Sequence, residues 1–275
     1  MRISIVHDTS YRYAKPARSV IQLLRMRPRN HEGQYIVAWH INVSGDCKLD
    51  QHEDAFGNIT HSFTADGPLD ELIVHAEGQA EIENTHGVVR GAIERFPADL
   101  FLRETPLTQV DDAIASTARG IKADAGPDTL AMLHAVVSHL HNEMNFDPAP
   151  TTVVTTAGEA FALKRGVCQD FTHIFIAAAR HLAIPARYVS GYFCRGDGVT
   201  EQAAGHAWAE ALVPDLGWVA FDPTNGICAT DQHLRVAIGL DYLSAAPARG
   251  AQSGGGGEAL SVRILVDQAR RQITS

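Results

Sequence analysis

Cys168 is the residue of this chain that is best suited, by its type and its position, to act as a nucleophile. It lies in residues 166–171, GVCQDF, and apolar residues recur at helical spacing from Phe171 to Leu182. Gly166 interrupts the chain just before that run, so Cys168 is predicted in the first turn of a buried helix. Free N–H groups and the positive dipole end favour a thiolate there, the form that attacks carbonyl carbons. The alternative is a buried structural thiol.

A nucleophilic thiol needs a base, and a third group must orient that base. His173 and His181 are poor candidates because His173 lies about 140° around the predicted helix from Cys168 and His181 lies near its far end. His206 is the better candidate. It opens residues 205–213, GHAWAEALV, a predicted strand with larger residues on one face and alanines on the other.

An acid that could orient His206 lies on the next predicted strand. The turn signal PDLG separates the first strand from residues 218–222, WVAFD, which Pro223 ends. If the two strands pair as a hairpin, Asp222 lies beside His206 at the open end and can stabilise the imidazolium. Taken singly, His206 could be a hydrogen-bonded core histidine and Asp222 an ordinary Asp-Pro turn residue. The ordered set with Cys168 favours catalysis.

The same residues carry a resemblance to a known family. The runs GVCQDFTHIFIAAARHLAIPARYVSGY and GHAWAEALVPDLGWVAFDPTNG resemble the transglutaminase-like superfamily of papain-fold cysteine enzymes. The segments YRYAKPARSV, LLRMRPR and DAFGN are similar to the bacterial members that carry a β-rich N-terminal domain. The resemblance implies a catalytic triad of Cys168, His206 and Asp222. One departure is Leu240, where the resemblance leads us to expect an arginine.

The chemistry that these residues predict is acyl transfer through a thioester. Cys168 attacks a carboxamide or peptide carbonyl, its own backbone N–H contributes to an oxyanion hole, and His206 protonates the leaving amine. Water as acceptor makes a peptidase or amidase, which we favour. An amine acceptor makes a protein-glutamine transglutaminase, and a catalytically idle protein-binding module is a further alternative.

Two more residues near the predicted triad have open roles. Trp208 is a candidate to wall the substrate cleft, with hydrophobic packing as the favoured alternative. Asp170 is favourable near a helix N-terminus, yet its charge opposes a thiolate on Cys168. Its geometry decides between the two effects.

The elements that must position these residues predict an α+β protein, a papain-like core with helices packed on an antiparallel sheet and an N-terminal all-β domain. Residues 1–100 read as strands and form that β-rich domain. Residues 101–245 form the catalytic core. Its helices have predicted caps at Thr108, in the run TQVD that resembles a capping box, at Asp128, and at residues 156–159. Residues 246–275 contain a flexible glycine-rich loop at 251–258 and a strand at 259–266 that suits a return to the N-terminal sheet.

Composition narrows the partners. The chain has 275 residues, a formal net charge of −9 and no long basic block, which argues against nucleic acid or an anionic membrane as partner. It shows no signal-peptide pattern and no run of about 20 apolar residues. Its four cysteines are spread without a CxxC, which favours a cytoplasmic protein with reduced thiols. No HExxH occurs among its 14 histidines, so we predict no metal and no cofactor. The predicted acyl-transfer chemistry leads us to expect a peptide or protein as substrate. The oligomeric state stays open.

Overall fold

The computed structural model describes residues 1–269. The strands, numbered in chain order, are β1 (Arg2–Arg27), β2 (Gln34–Val43), β3 (Asp50–Glu53), β4 (Ile59–Ile82), β5 (Val88–Val89), β6 (Asn145–Phe146), β7 (Arg165–Gly166), β8 (Ala186–Phe193), β9 (Glu201–Gln202), β10 (His206–Val213), β11 (Gly217–Asp222), β12 (Ile227–Cys228), β13 (His233–Gly239), β14 (Ala248–Gly254) and β15 (Glu258–Gln268). The helices are α1 (Asp112–Ala125), α2 (Thr129–Glu143), α3 (Ala157–Leu163), α4 (Cys168–His181) and α5 (Tyr242–Ala245), with a 3-10 helix at Ala98–Leu102. These elements confirm the predicted α+β class.

The N-terminal sheet has seven strands, all paired antiparallel, in the order β2-β4-β1-β15-β9, with β14 also on β1 and β3 on β4. Along much of β1, buried residues alternate with more exposed ones, as a sheet with a single core face requires. β15 contains residues 259–266 and pairs with β1 from Tyr13↔Glu258 to Ile3↔Gln268. The C-terminal segment therefore lies in the N-terminal sheet.

The glycine-rich segment differs from its prediction as a flexible loop over residues 251–258. β14 extends to Gly254 and pairs with β1 from Leu24↔Ala248 to Ala17↔Gly254, and only residues 255–257 link it to β15. These three glycines have positive φ, which glycine adopts at no steric cost. The flexible-loop prediction is wrong for residues 251–254, because any backbone without proline has the N–H and C=O groups to pair with the edge of a distant strand.

A second sheet has six strands, in the order β12-β11-β10-β8-β13, with β5 on β11. Five of these strands lie within the predicted core of residues 101–245, whereas β5 comes from the predicted N-terminal domain. The hairpin of β10 and β11 forms as predicted and closes at Val213↔Gly217. The alanine face of β10 shares one hydrophobic core with α4. The helix residues of this core include Phe171, Ile174, Phe175 and Ala178, and the residues from β10 include Ala207, Ala209 and Ala211. Truncating one such phenylalanine to alanine would cost about 3–5 kcal/mol, so this interface holds α4 firmly on the sheet.

Helix caps follow the predictions with one exception. Asp128 caps α2, and Thr156 with Glu159 forms a capping box on α3. α1, in contrast, is capped by Asp111, whose Oδ1 accepts the Ile114 N–H at 2.8 Å. The predicted capping role of Thr108 is wrong, because its hydroxyl instead accepts a hydrogen bond from a distant guanidinium, that of Arg180, at 2.7 Å.

Two side-chain amides join the N-terminal domain to the catalytic sheet. Gln34 donates to the Arg235 carbonyl and accepts the Arg235 N–H, both at 2.9 Å. Asn58, in the DAFGN segment, makes the same pair of bonds with Ile238, both at 2.8 Å. Each amide satisfies backbone groups on the outer edge of β13, where a further strand would otherwise pair. The N-terminal domain therefore holds β13, a strand that also supplies a residue to the site described next.

Candidate active site

Cys168 is the first residue of α4 and is half-buried. The helix start is organised by Asp170, whose Oδ2 accepts the Val167 N–H and the Thr151 hydroxyl, both at 2.8 Å. Gly166 leaves room for that carboxylate, since a Cβ there would lie 2.7 Å from the Asp170 Cβ. Because the first N–H groups of a helix lack intrahelical acceptors, the position of Cys168 favours a negative sulfur and offers N–H donors beside it.

Asp170 thus caps the start of α4, because its carboxylate binds groups of the preceding segment, the Val167 N–H and the Thr151 hydroxyl. Burial raises the pKa of Asp170, and the hydrogen bonds from Val167 and Thr151 only partly oppose that effect. The contacts of its carboxylate stabilise the helix start that presents Cys168.

His206 and Asp222 are in direct contact. The distance between His206 Nε2 and Asp222 Oδ2 is 2.7 Å, and the two side chains are 11% and 0% exposed. The strand register pairs Ala209 with Phe221, which continues to Asp222 opposite Trp208. The His206–Asp222 bond therefore spans a diagonal of the sheet, a distance that a histidine side chain can reach.

The Asp222 carboxylate accepts five hydrogen bonds. Its Oδ2 accepts from His206, from Asn225 Nδ2 at 2.6 Å and from His233 Nε2 at 3.1 Å. Its Oδ1 accepts the backbone N–H groups of Thr224 and Asn225, both at 3.1 Å. Burial would raise the pKa of Asp222, but the charge and hydrogen bond of His206 and the bond from His233 outweigh it and hold that pKa well below its usual range. Asp222 therefore keeps its negative charge in the protein interior.

The pKa of His206 is set by its burial, by Asp222 and by Cys168. Burial alone would lower the pKa of His206, but the charge and hydrogen bond of Asp222, together with the hydrogen bond and charge of Cys168, raise it to about 10. His206 and Asp222 are therefore joined by a hydrogen bond, and the effect of the Cys168 thiol on the pKa of His206 indicates that this thiol lies near the ring. The assignment of the three residues as a catalytic triad stays a prediction.

The two rejected histidines have other surroundings. His173 is fully buried, its Nε2 accepts the Tyr242 N–H at 3.1 Å, and burial lowers its pKa to about 3. His181 lies at the last residue of α4, with its Nε2 3.4 Å from an arginine, Arg119. Neither is placed to serve Cys168 as a base.

Trp208 is 1% exposed and packs in the interior. Its ring centroid lies 6.1 Å from that of His206 and 5.2 Å from that of His233. On the other side it covers Gly191, where a Cβ would collide with the indole. In this structure Trp208 therefore packs beside the rings of both histidines, and a role in substrate binding stays a prediction.

Three side chains of the site also have a spacing that occurs in metal centres. The ring nitrogens of His206 and His233 and an oxygen of Asp222 lie within 4.8 Å of one another. Direct hydrogen bonds of 2.7 and 3.1 Å occupy the space between these atoms, so we describe the group as a hydrogen-bonded cluster. The sequence-based expectation of no metal remains a prediction.

Sequence reasoning missed two partners of Asp222. Asn225 stands within the run DPTNG, three residues beyond Asp222, so a local signal was available. His233 follows Asp222 by eleven residues in an unremarkable DQH segment, and no local signal marks it. It reaches the site only because β13 pairs with β8, with His233 opposite Phe193.

Comparison with known proteins places the chain in a family. Residues 115–223 match the transglutaminase-like superfamily, and residues 3–81 match the bacterial transglutaminase-like N-terminal region. An uncharacterized protein of Mycobacterium leprae is 30% identical over 279 residues, which cover 96% of this chain and 98% of that protein. The chain therefore belongs to the transglutaminase-like superfamily, as its motifs suggested.

Two further proteins are similar to this chain. A protein-glutamine gamma-glutamyltransferase of Pseudomonas aeruginosa is 30% identical over 149 residues, which cover 46% of this chain and 22% of that protein. The crystal structure of a protein from Cytophaga hutchinsonii, described as a candidate cysteine protease, superposes with a TM-score of 0.78 at 18% identity, over 100% of this chain and 92% of that one. At that identity the superposition shows a shared fold.

Proposed function

We propose that this protein is a cysteine-dependent acyl-transfer enzyme that cleaves peptide or carboxamide bonds, with water as the acceptor. The observation that carries the proposal is a single imidazole, His206. It lies 2.7 Å from the buried carboxylate of Asp222, and both Asp222 and Cys168 raise its pKa. A nucleophile, a base and an orienting group in hydrogen-bonded order are the parts that covalent catalysis requires. Membership of the transglutaminase-like superfamily supports the proposal.

In the first half of the reaction Cys168 is acylated. His206 takes the thiol proton, and the thiolate attacks the carbonyl carbon to give a tetrahedral oxyanion that accepts the Cys168 backbone N–H. The imidazolium returns its proton to the leaving nitrogen, the C–N bond breaks, and an amine and a thioester result. The raised pKa of His206 keeps the proton on the ring until the leaving group needs it.

In the second half water replaces the amine. His206 takes a proton from the water, the hydroxide adds to the thioester carbonyl, and the C–S bond breaks to release a carboxylic acid and the thiolate. Asp222 exchanges no proton. It fixes the ring so that Nδ1 faces the sulfur and stabilises the imidazolium in both halves.

A second candidate uses an amine in place of water and makes an isopeptide bond from the same thioester. The similarity to the Pseudomonas aeruginosa glutamyltransferase over 149 residues favours it. Incubating peptide mixtures with the protein, with and without a primary amine, and following mass changes distinguishes the two: hydrolysis adds no amine mass to the acyl product, whereas transfer does.

Replacement of Cys168 by alanine tests the mechanism itself. We expect turnover to fall to background, a loss on the order of 10⁴-fold or more, with the circular dichroism spectrum unchanged. Single replacements of Cys47, Cys194 or Cys228 are the matched controls and should leave turnover near wild type, because burial raises the pKa of each of these thiols and keeps it protonated.

Iodoacetamide labelling separates this enzyme from an idle binding module. Rapid, selective alkylation of Cys168 near neutral pH is expected of an activated thiol. Full turnover by a folded Cys168→Ala protein, or alkylation of Cys168 no faster than an ordinary thiol, would contradict the proposal.

We also propose a peptide or protein as substrate and the cytoplasm as the compartment. The net charge of −9 supports a partner other than nucleic acid. Within residues 1–269 no helix combines the length and the apolarity that crossing a membrane would take.

A further inference from the structure

His233 is a second imidazole, besides that of His206, that binds the Asp222 carboxylate. It is the first residue of β13, is 4% exposed, and places Nε2 3.1 Å from Asp222 Oδ2. Its ring packs between Phe193, with centroids 4.6 Å apart, and the edge of Trp208, with centroids 5.2 Å apart. The ring is therefore fixed in position by packing as well as by hydrogen bonds.

The other ring nitrogen of His233 identifies its protonation state. Nδ1 lies 3.0 Å from the backbone N–H of Thr230, which can only donate. Nδ1 must therefore carry a lone pair, and the proton of the neutral ring is on Nε2, facing Asp222. Burial lowers the pKa of His233, the bond to Asp222 opposes that change, and the nearby positive charge of His206 adds to it.

We infer that His233 is a positioning residue that stays neutral as the Nε2–H tautomer and holds the Asp222 carboxylate aimed at His206. The inference rests on the proposed function, because it assigns His233 a task in that same site. Its basis is geometric: a backbone donor on Nδ1, a carboxylate acceptor on Nε2, and a packed ring between them.

A neutral His233 has a specific consequence for the site. Two imidazole rings, with centroids 6.0 Å apart, share one carboxylate oxygen, and a positive charge on both would be unfavourable in the interior. Because the Thr230 N–H occupies Nδ1 of His233, the single added proton goes to His206, the ring that faces Cys168. Without His233, Oδ2 of Asp222 would lose a donor and the carboxylate would be freer to turn away from His206.

The tautomer can be tested without any substrate. Long-range ¹H–¹⁵N spectra of protein labelled at histidine distinguish protonated from unprotonated ring nitrogens. We expect His233 to show an unprotonated Nδ1 and a protonated Nε2 from about pH 5 to about pH 8, a range in which an ordinary histidine changes charge. A His233 that titrates in this range, or that carries its proton on Nδ1, would overturn the inference whether or not the protein is an enzyme.

The task of His233 is tested by paired variants. His233→Phe keeps a ring but loses both hydrogen bonds, and we expect about a tenfold fall in kcat and in the rate of Cys168 alkylation with little change in KM. His233→Gln keeps one donor and one acceptor and should recover most of the rate. The KM-against-kcat split and the recovery by glutamine are effects that a purely structural role would not produce.

A matched control separates positioning from stability. His7 is also 4% exposed and also uses both ring nitrogens, with Tyr192 at 2.9 Å and Thr9 at 3.1 Å, but it lies in the N-terminal sheet. His7→Phe should lose comparable stability and keep wild-type alkylation and kcat.

The outcomes separate this inference from the proposed function. A wild-type Cys168 without enhanced reactivity would remove the proposed function, and the tautomer spectrum would still report on His233. An active wild-type enzyme whose His233→Phe variant matches it, or whose His233→Gln variant falls as far as His233→Phe, would overturn the inference alone. Should His233→Phe fail to fold, the kcat of His233→Gln and the wild-type spectrum decide.

Discussion

Two buried carboxylates on neighbouring strands of the catalytic sheet meet opposite kinds of partner. Glu210 of β10 and Asp222 of β11 are both 0% exposed. Glu210 belongs to an arginine cluster, in which Arg187 and Arg235 each donate to it at 2.6 Å. Asp222 belongs to a histidine cluster, in which His206 and His233 donate to it. Both carboxylates carry charge, since the pKa of each lies below its usual range.

The arginine cluster cannot change its charge under ordinary conditions. Burial would raise the pKa of Glu210, but the charges of Arg235 and Arg187 outweigh it and lower that pKa to about 2. Arg187 also binds Glu94 at 2.6 Å and covers the Trp218 ring at 3.9 Å from its centroid. Guanidinium groups keep their protons, so this cluster can only hold strands together.

The histidine cluster is built at similar burial but from groups that exchange protons. Imidazole is the side chain whose charge changes nearest neutral pH, and here Asp222 shifts that change upward for His206. The comparison teaches that burying a carboxylate does not by itself make a reactive site. The partner decides: a permanent cation stabilises the fold, and an imidazole can exchange a proton, as we propose that His206 does with Cys168.

Loss of the Asp222 charge should produce the largest effect and should appear in activity. In a serine triad the corresponding loss is roughly 10⁴-fold, and a cysteine enzyme should lose less because its thiol is more acidic. We expect Asp222→Asn to retain more activity than Asp222→Ala, and both more than His206→Ala. Kinetics with circular dichroism on all three variants measures this order. An Asp222→Ala protein as active as wild type would reduce Asp222 to a turn residue.

Loss of the Glu210 charge should appear in stability instead. Glu210→Gln leaves Arg187 and Arg235 buried without their full counter-charge, and breaking such a pair typically costs about 3–5 kcal/mol of unfolding free energy. Urea unfolding measures the cost, and kcat per folded molecule should stay within about threefold of wild type, because Glu210 contacts no reacting atom. A stable but inactive Glu210→Gln protein would make the two clusters functionally alike.

The two clusters should also lose stability at opposite ends of the pH scale. Glu210 has a folded pKa of about 2 against an ordinary 4.5, so its contribution, roughly 3 kcal/mol, is present above about pH 4.5 and lost as the pH falls toward 2. His206 has a folded pKa of about 10 against 6.5, so its contribution is full below about pH 6.5 and lost as the pH rises toward 10. Both predictions are tested by measuring the unfolding free energy of wild type, Glu210→Gln and His206→Ala across pH. If wild type is still as much more stable than Glu210→Gln at pH 2 as it is at neutral pH, the prediction for Glu210 is wrong.

Local features of the site were predictable because their causes are local. The helical period after Phe171 and the interruption at Gly166 placed Cys168 at a helix start, where the structure has it. Asp128 was recognisable as a cap because an N-cap satisfies N–H groups only two or three residues away. The β10–β11 hairpin was predictable from alternation and a turn signal.

Most features that depend on distant segments were not predictable, although the return of residues 259–266 to the N-terminal sheet was. Thr108 looks like a helix cap until Arg180, 72 residues away, takes its hydroxyl. Residues 251–254, the second half of β14, look like part of a flexible loop in the sequence, but they pair with β1 in the structure. Nothing in the sequence indicates that Gln34 and Asn58 bind the edge of β13, because an amide side chain can hydrogen-bond to almost any polar group.

The sequence by itself singled out the side chains that we propose to carry the chemistry, Cys168, His206 and Asp222, and it predicted the local elements that present them. Only the tertiary structure decided which charge each group bears and which partner holds it. His233 joins Asp222, and Arg187 and Arg235 join Glu210, through strand pairings that bring separate segments together. The physical reason is that a buried group's protonation state follows from desolvation and from neighbours within a few ångströms, and both are properties of the folded packing.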